Sequence, residues 1–277
     1  MNQLPIQTRT QIINLLVEGN SLRATARITG VSRNTVDKLL FQVGKVCQEF
    51  QNKQIVNLKT KRCQLDEIWT FVGAKEKNVT PEMKEEGMGN IWTWTALDAD
   101  SKMIVSWFVG DRSSESACEF MQDVAGRLKN RMQLTTDGHK TYLDAVEDAS
   151  AGQVDYAMLV KIYGAPSGQS TTERKFSLQE YTGAKKVIQL GNPDKKHFST
   201  YHMERQNPTM RMNMRRFTRL TNAFSKKLEN HCYAIALHFV YYNFAKIHQT
   251  LHVTPAMEAG LTKDIMSIED IVRLTEK

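Results

Sequence analysis

The chain has 277 residues, of which 41 % are hydrophobic, and a net charge of +7 at pH 7. This composition supports a full hydrophobic core and argues against intrinsic disorder. No apolar run approaches the roughly 20 residues that span a bilayer, and the first residues lack the pattern of a signal peptide. We therefore expect a cytoplasmic protein that contacts no membrane.

The positive charge is concentrated in one part of the chain. Residues 184–231 hold eleven Lys or Arg and three acids, a local charge of +8, so the remainder is close to neutral. A block of this kind predicts a polyanionic partner such as DNA, in which case the protein would associate with the nucleoid. The alternative is a solvated helix face.

Cysteine spacing argues against a zinc site. The four cysteines, Cys47, Cys63, Cys118 and Cys232, form no CxxC pair, and no histidine lies at zinc-finger spacing from them. We interpret them as reduced thiols, mostly small buried hydrophobes.

Residues 1–45 have the pattern of three short helices. The first, in TRTQIINLLVEGN, stops at Gly19-Asn20; Ser21 caps the second, and Gly30 ends it; Ser32 caps the third. Two helices joined by a Gly-containing turn are typical of a helix-turn-helix. The third helix would direct Arg33, Asn34, Thr35 and Lys38 outward, which suits a DNA major groove. The alternative is a module for protein contacts.

A polar linker, 46–62, precedes a change of pattern. The pattern then predicts, in order, three strands, a helix, a fourth strand, a second helix and a fifth strand. A Gly-, Ser- and Lys-rich insertion (165–198) with one short apolar piece follows the fifth strand. This order predicts an α/β domain over 63–230 with a ribonuclease-H-like mixed five-stranded sheet flanked by helices. Residues 231–277 are predicted to form a helical C-terminal region.

Two aspartates stand on strands that this order makes neighbours. Asp66 lies in the first strand and Asp137 ends the fourth. Paired buried carboxylates repel each other, and a hard divalent cation such as Mg²⁺ or Mn²⁺ relieves both burial and repulsion. Glu204 is the predicted third ligand, carried on a helix. Glu67 is an alternative ligand beside Asp66, and Glu204 is alternatively a partner of Arg205 or His202.

The helix of Glu204 is otherwise strongly basic. Counted at 100° per residue, Asn207, Arg211 and Arg215 fall within about 60° of Glu204. One face would therefore present a metal ligand beside groups that reach phosphate oxygens. Pro208 removes the backbone donor to the Glu204 carbonyl, so the helix should kink or start irregularly there, unless Pro208 sits in a first turn that begins near Gln206.

Three stretches resemble a known family. DEIWTFVGAK, TTDGHKTY and MERQNPTMRMNMRRFTRLTNAFSK are similar to segments of the DDE transposases of the insertion-sequence-one family, over roughly residues 62–230. The third is the most specific, with Glu-Arg-x-Asn-x-x-x-Arg beginning at Glu204. The resemblance implies a ribonuclease-H-like core, two metal ions, and DNA strand cleavage and joining.

The resemblance also implies roles for individual residues. The catalytic and metal-binding acids would be Asp66, Asp137 and Glu204, with Arg205, Asn207 and Arg211 associated with the glutamate helix. A helix-turn-helix that binds the terminal repeats is expected. Many relatives also carry an N-terminal zinc finger, which has no counterpart here, and the interval from Asp137 to Glu204 is longer than in compact members.

The sequence therefore predicts a DNA transposase that uses two Mg²⁺ or Mn²⁺ ions. A metal-activated water would cleave at the transposon end, and the freed 3′-OH would attack target DNA. Cutting two ends in concert requires a homodimer or higher oligomer. The alternatives are a nuclease on the same core without strand transfer, and a helix-turn-helix transcription regulator.

Overall fold

The computed structural model describes residues 4–150, 152–164, 180–218 and 222–276. Its first three helices are α1 (Ile6–Val17), α2 (Leu22–Thr29) and α3 (Arg33–Gln54). The predicted caps are confirmed: the Ser21 and Ser32 hydroxyls accept from backbone N–H groups three residues on, and Gly30 has a left-handed φ of 69°.

Helix α3 is longer than the sequence predicts. We expected it to end near Gly44, with a polar linker from residue 46, but it continues to Gln54. The buried side chains of Val43, Cys47 and Gln51 recur every four residues, which places one face of the helix against the core. This tertiary burial outweighs the polar composition of the segment.

Within the described residues the sheet has six strands, so the prediction of five was wrong. They are β1 (Arg62–Val72), β2 (Gly89–Asp98), β3 (Ile104–Gly110), β4 (Met132–Asp137), β5 (Val154–Gly164) and β6 (Glu180–Leu190), in the order β3-β2-β1-β4-β5-β6. β1, β4 and β5 are parallel to one another, and the other pairings are antiparallel. The first five strands follow the predicted order.

The sixth strand comes from the predicted insertion. We expected 165–198 to be irregular with one short strand; residues 165–179 lie outside the described part, but 180–190 pair along β5 from Tyr156 to Gly164. The backbone bonds of this long antiparallel pairing compensate for the weak apolar pattern of the segment.

Helices cover both faces of the sheet. They are α4 (Pro81–Glu85), α5 (Ser114–Arg127), α6 (Tyr142–Ser150), α7 (Tyr201–Asn213), α8 (Leu228–Val240), α9 (Pro255–Glu258) and α10 (Ile268–Arg273), with a π-helical turn at Tyr241–Ala245. Leu65 packs with α5 and α6 residues in one core cluster, and Ile68 packs with α7 and α8 residues in another. Alternation along β1 therefore decides which layer each side chain faces.

The N-terminal helices pack closely on the rest of the chain. A Cβ at Gly44 would lie 2.4 Å from the Tyr233 backbone oxygen, and a Cβ at Gly19 would lie 2.8 Å from that of Met212. Two contacts near the chain ends add to this: Arg9 pairs with Glu276 at 2.6 Å, and Tyr241 donates to Glu18 at 2.7 Å. The boundaries of the predicted domains stay a prediction.

Two further predictions concern the state of the cysteines and the absence of an apolar segment long enough to span a bilayer. All four cysteines are free thiols; Cys47 and Cys63 are buried, and the other two are half-buried. Among the described helices, none is both long and apolar enough to cross a bilayer.

Candidate metal centre

The register of two parallel strands brings Asp66 and Asp137 together. β1 pairs with β4 from Arg62↔Gln133 to Gln64↔Thr135, and each aspartate lies two residues beyond that last pair. Side chains two residues on from paired positions share a face and a level of the sheet. The carboxylates of Asp66, Asp137 and Glu67 offer oxygens that all lie within 4.8 Å of one another.

Glu67 joins this cluster from the opposite face of β1. Its side chain is 1 % exposed, and Oε2 accepts a hydrogen bond from Arg112 Nη2 at 2.9 Å. The Arg112 guanidinium in turn lies 4.5 Å over the Trp92 ring. The sequence offered Glu67 as an alternative to Asp66; the structure brings both to Asp137.

Burial and mutual repulsion raise the pKa values of two of these acids. Burial, followed by the charge of Asp137, raises the pKa of Asp66 to about 6. The same two causes, in the same order, raise the pKa of Glu67 to about 7, although the Tyr142 hydroxyl and Arg112 oppose them. The cluster therefore favours a bound proton or cation over three ionised carboxylates without a counter-ion.

Helix α7 is joined to the cluster through Asn207. Its Nδ2 donates to Asp66 Oδ2 at 2.7 Å, while the backbone N–H of Glu67 donates to Asp66 Oδ1 at 2.9 Å. At the start of the helix, the Gln64 side-chain oxygen accepts from the N–H groups of His202 and Met203 at 3.0 and 3.1 Å. Strand β1 thus holds the first two turns of α7 at both ends, through Gln64 at the start and Asp66 at Asn207.

Glu204 lies beside the three-acid cluster, and it is not one of the three acids within 4.8 Å. Its Oε1 pairs with Lys161 Nζ at 2.8 Å and accepts a bond from the Thr200 hydroxyl. Burial opposes its ionisation, but these bonds outweigh burial and lower the pKa of Glu204. The alternative partners Arg205 and His202 were wrong, because the partner is a lysine from β5.

Lys161 was missed by the sequence analysis. It is the single charged residue in the second half of the apolar run VDYAMLVKIYG that forms β5, which was the available signal. Its side chain is 30 % exposed, and its charge stabilises the ionised form of Asp66 as well as pairing with Glu204.

Pro208 does not break α7. The helix runs from Tyr201 to Asn213 with Pro208 inside it, so the alternative of a first turn beginning near Gln206 was wrong. Proline has no N–H, so the Glu204 carbonyl lacks its usual donor four residues on. The Glu204 side chain still points to β5, because Thr200 and Lys161 hold it.

The predicted basic face of α7 is only partly present. Arg205 is exposed. Arg211 Nη1 donates to the Phe217 carbonyl at 2.7 Å, which fixes the chain after the helix. Arg215 is exposed but lies in a 3₁₀ turn beyond the end of α7, so the shared face with Glu204 was wrong for this residue.

The four predicted residues on α3 differ in exposure. Arg33, Asn34 and Lys38 are exposed. The Thr35 hydroxyl instead lies 2.9 Å from that of Ser32, whose side chain caps the helix. Arg33 lines a cleft that also contains Arg215 and Arg216.

The donor set fits a hard divalent cation. Three carboxylates converge, and beside them the buried oxygen Asn207 Oδ1 has no hydrogen-bond partner among the residues that the structure describes. Carboxylate and amide oxygens are preferred by Mg²⁺ and Mn²⁺, and a cation would offset the repulsion that raises the two pKa values.

No family model and no curated protein matches the chain. Among solved structures, it is similar to a piggyBac transposase in a synaptic complex with hairpin DNA (TM-score 0.43, 10 % identity, 98 % of this chain and 69 % of the other). It is also similar to Mos1 transposase in a paired-end complex with the left transposon end (TM-score 0.25, 11 % identity, 56 % of this chain and 60 % of the other). A Mos1 strand transfer complex is similar as well (TM-score 0.25, 11 % identity, 86 % of this chain and 76 % of the other). At TM-scores below 0.5 these similarities assign neither fold nor function.

Proposed function

We propose that this protein is a DNA transposase of the DDE type, related to the insertion-sequence-one family. The observation that carries the proposal is the meeting of Asp66 and Asp137 through the β1–β4 register, with Asn207 joining the Glu204 helix to Asp66. A structural role alone does not explain three carboxylates gathered at one point, because their repulsion destabilises the fold.

Asp66 and Asp137 are the proposed metal ligands, together with Glu204 and with Glu67 as a further candidate. Mg²⁺ or Mn²⁺, in two ions, would supply a water of lowered pKa and neutralise charge on the scissile phosphate. Asn207 orients the Asp66 carboxylate through its 2.7 Å bond. Lys161 holds Glu204 ionised and is exposed enough to reach a phosphate oxygen.

The partner is double-stranded DNA, at transposon ends and at the target. Arg33, Asn34 and Lys38 are exposed on α3, Arg205 is exposed next to Glu204 on α7, and Arg215 is exposed in the turn after α7. These side chains offer donors to phosphates and base edges. Thr35 and Arg211 contribute less directly, since their side chains also hold local structure. We expect a homodimer or higher oligomer on DNA, because two ends must be cut in concert.

Strand transfer tests the proposal. A duplex carrying the element's end, labelled at the 3′ strand that is cut, is incubated with Mn²⁺ and a supercoiled plasmid. Wild-type protein should move the label into the plasmid, and Glu204→Gln should reduce transfer at least 100-fold while DNA binding is retained. Cleavage without transfer would indicate a nuclease instead. DNA binding with no cleavage by wild-type protein would indicate a regulator.

A further inference from the structure

A second feature of the structure is a cleft of about 650 Å³ between the N-terminal helices and the chain after α7. One wall comes from the end of α1, from α2 and from the start of α3. The other comes from residues 213–216 and 222–226 and from α8. Six of the described lining side chains are cationic, namely Arg23, Arg27, Arg33, Arg215, Arg216 and Lys226, and Asp37 is the one acid among these described residues.

Close backbone contacts join the two walls of this basic cleft. At one edge, Gly19 approaches the backbone of Met212 so closely that a Cβ would lie 2.8 Å from its oxygen. Behind the cleft, Gly44 of α3 meets Tyr233 of α8 in the same manner. The cleft is therefore preformed, and a ligand would bind without first ordering its walls.

Arg216 is the most enclosed cation of the cleft. Its Nη1 donates to Ser225 Oγ at 2.7 Å and to the Asn230 carbonyl at 3.0 Å. Among the described ion pairs none includes Arg216. Burial lowers the pKa of Arg216 to about 10, which the charge of Asp37 only partly opposes. An enclosed guanidinium held by neutral acceptors has charge left for an anion.

A second, independent observation comes from the inner end of the cleft. His238 lines it, is 2 % exposed, and has no hydrogen-bond partner at either ring nitrogen within the described part of the chain. Burial lowers its pKa to about 3, so the ring is neutral and carries one N–H donor and one free acceptor. The ring packs against Phe239 and Tyr242, but its unpaired ring nitrogens at the end of a basic cleft indicate a ligand, or water held with it, that these protein atoms do not replace.

We infer that the basic cleft binds the phosphodiester backbone of the DNA, so that one strand segment contacts the N-terminal helices and the chain after α7 together. The inference rests on the proposed function for its choice of DNA as the ligand. Arg27 of α2 and Arg215 lie on opposite walls and are both exposed. Simultaneous contact fixes the helix-turn-helix relative to the acids, so recognition of an end would set the position of the cut.

The test compares Arg27→Glu, Arg215→Glu and the double variant with Lys263→Glu. Lys263 is an exposed cation that does not line the cleft, so this control makes the same charge change elsewhere. Affinity for a fluorescent duplex is measured by anisotropy from low to moderate salt. Each cleft substitution should weaken binding about tenfold and lower the slope of log affinity against log salt by about one, and the double variant by about two.

The control should leave the slope at the wild-type value, and thermal unfolding confirms that every variant is folded. An unchanged slope in the double variant would overturn the inference. Inorganic tripolyphosphate tests whether the cleft binds a free polyphosphate rather than the DNA backbone. The inference fails if tripolyphosphate stabilises wild-type protein but not the double variant, while both proteins give equal salt slopes with the duplex. DNA cleavage by the same proteins is measured separately. If the cleft substitutions weaken DNA binding but wild-type protein does not cleave DNA, the proposed function is contradicted and the inference about the cleft still holds.

Discussion

Asn207 Nδ2 lies 2.7 Å from Asp66 Oδ2 and donates a hydrogen bond to it across the boundary between helix α7 and the sheet. The oxygen of this amide, Oδ1, is buried and has no hydrogen-bond partner among the described residues. One side chain thus restrains a carboxylate of the acidic cluster and presents a free acceptor beside it. The position of the Glu204 helix depends on this contact.

Replacing Asn207 by Asp should make the metal-free protein less stable. The substitution exchanges a donor for a fourth acid facing Asp66, and like charges at this distance destabilise the fold. We expect the melting temperature at pH 8 to fall by several degrees and Mn²⁺ to restore it. Asn78→Asp, at an exposed position outside the cluster, is the matched control and should show neither effect. Equal melting curves for the two variants would contradict the assigned contact.

The raised pKa values of Asp66 and Glu67 predict a pH dependence of stability. Their folded pKa values, about 6 and about 7, lie above the ordinary values of 3.8 and 4.5. The folded state therefore binds protons more tightly than the unfolded state, and the cluster destabilises the fold as pH rises through this window. Without metal, the free energy of unfolding should fall between about pH 5 and pH 8 by on the order of 4 kcal/mol, because the two folded pKa values lie about one and two units above pH 5 and each unit corresponds to about 1.4 kcal/mol.

Chemical denaturation across this pH range checks that dependence. Asp66→Asn should flatten the profile, because it removes one titrating group and its repulsion. Asp148→Asn, an exposed acid on α6, should leave the profile unchanged. A wild-type stability that rises steadily from pH 5 to pH 8 would show that the acids do not meet.

Much of this arrangement was predictable from the sequence, for identifiable reasons. The strand order made Asp66 and Asp137 neighbours, and their placement follows from counting along two parallel strands. The serine caps and Gly30 marked the ends of α2 and the start of α3 because capping is local chemistry.

The sequence predictions were wrong where contacts between distant parts of the chain determine the structure. The continuation of α3 to Gln54 depends on burial of one face against other elements, and the sixth strand depends on backbone pairing with β5. The Lys161–Glu204 pair joins residues 43 positions apart in a way that no local pattern indicates. The prediction that Arg215 shares a helix face with Glu204 assumed that α7 continues, whereas it ends at Asn213.

Lys161→Met should strengthen metal binding. The ammonium of Lys161 pairs with Glu204 and lies close enough to Asp66 to stabilise its charge, so it competes with a divalent cation for both acids. Titration with Mn²⁺, followed by its paramagnetic signal, should give a dissociation constant several-fold lower than in wild-type protein. Adding Glu204→Gln should cancel the gain.

The control for that titration is Lys185→Met, which removes an exposed lysine from the neighbouring strand β6. It should change the Mn²⁺ affinity little, since its charge is solvated. A weaker Mn²⁺ affinity in Lys161→Met than in wild-type protein would show that the lysine supports the metal site instead of competing with the ion.

Gly44→Ala should destabilise the packing of α3 on α8. The added Cβ would lie 2.4 Å from the Tyr233 backbone oxygen, so the helices must separate. We expect a loss of about 1–3 kcal/mol in the free energy of unfolding. Gly126→Ala, near the end of α5 with no atom within 4 Å of the added Cβ, should instead stabilise by roughly 0.5–1 kcal/mol through helix propensity. Similar values for both variants would contradict the close approach.

The most direct measurement is Mn²⁺-dependent cleavage of DNA carrying the element's ends by Asp137→Asn, with Asp144→Asn, at an exposed position of α6, as the matched control. The account predicts that Asp137→Asn binds the duplex normally and loses cleavage by about a thousandfold or more, because one ligand of the metal is gone, while Asp144→Asn cleaves like wild-type protein. Cleavage by Asp137→Asn at the wild-type rate would contradict it.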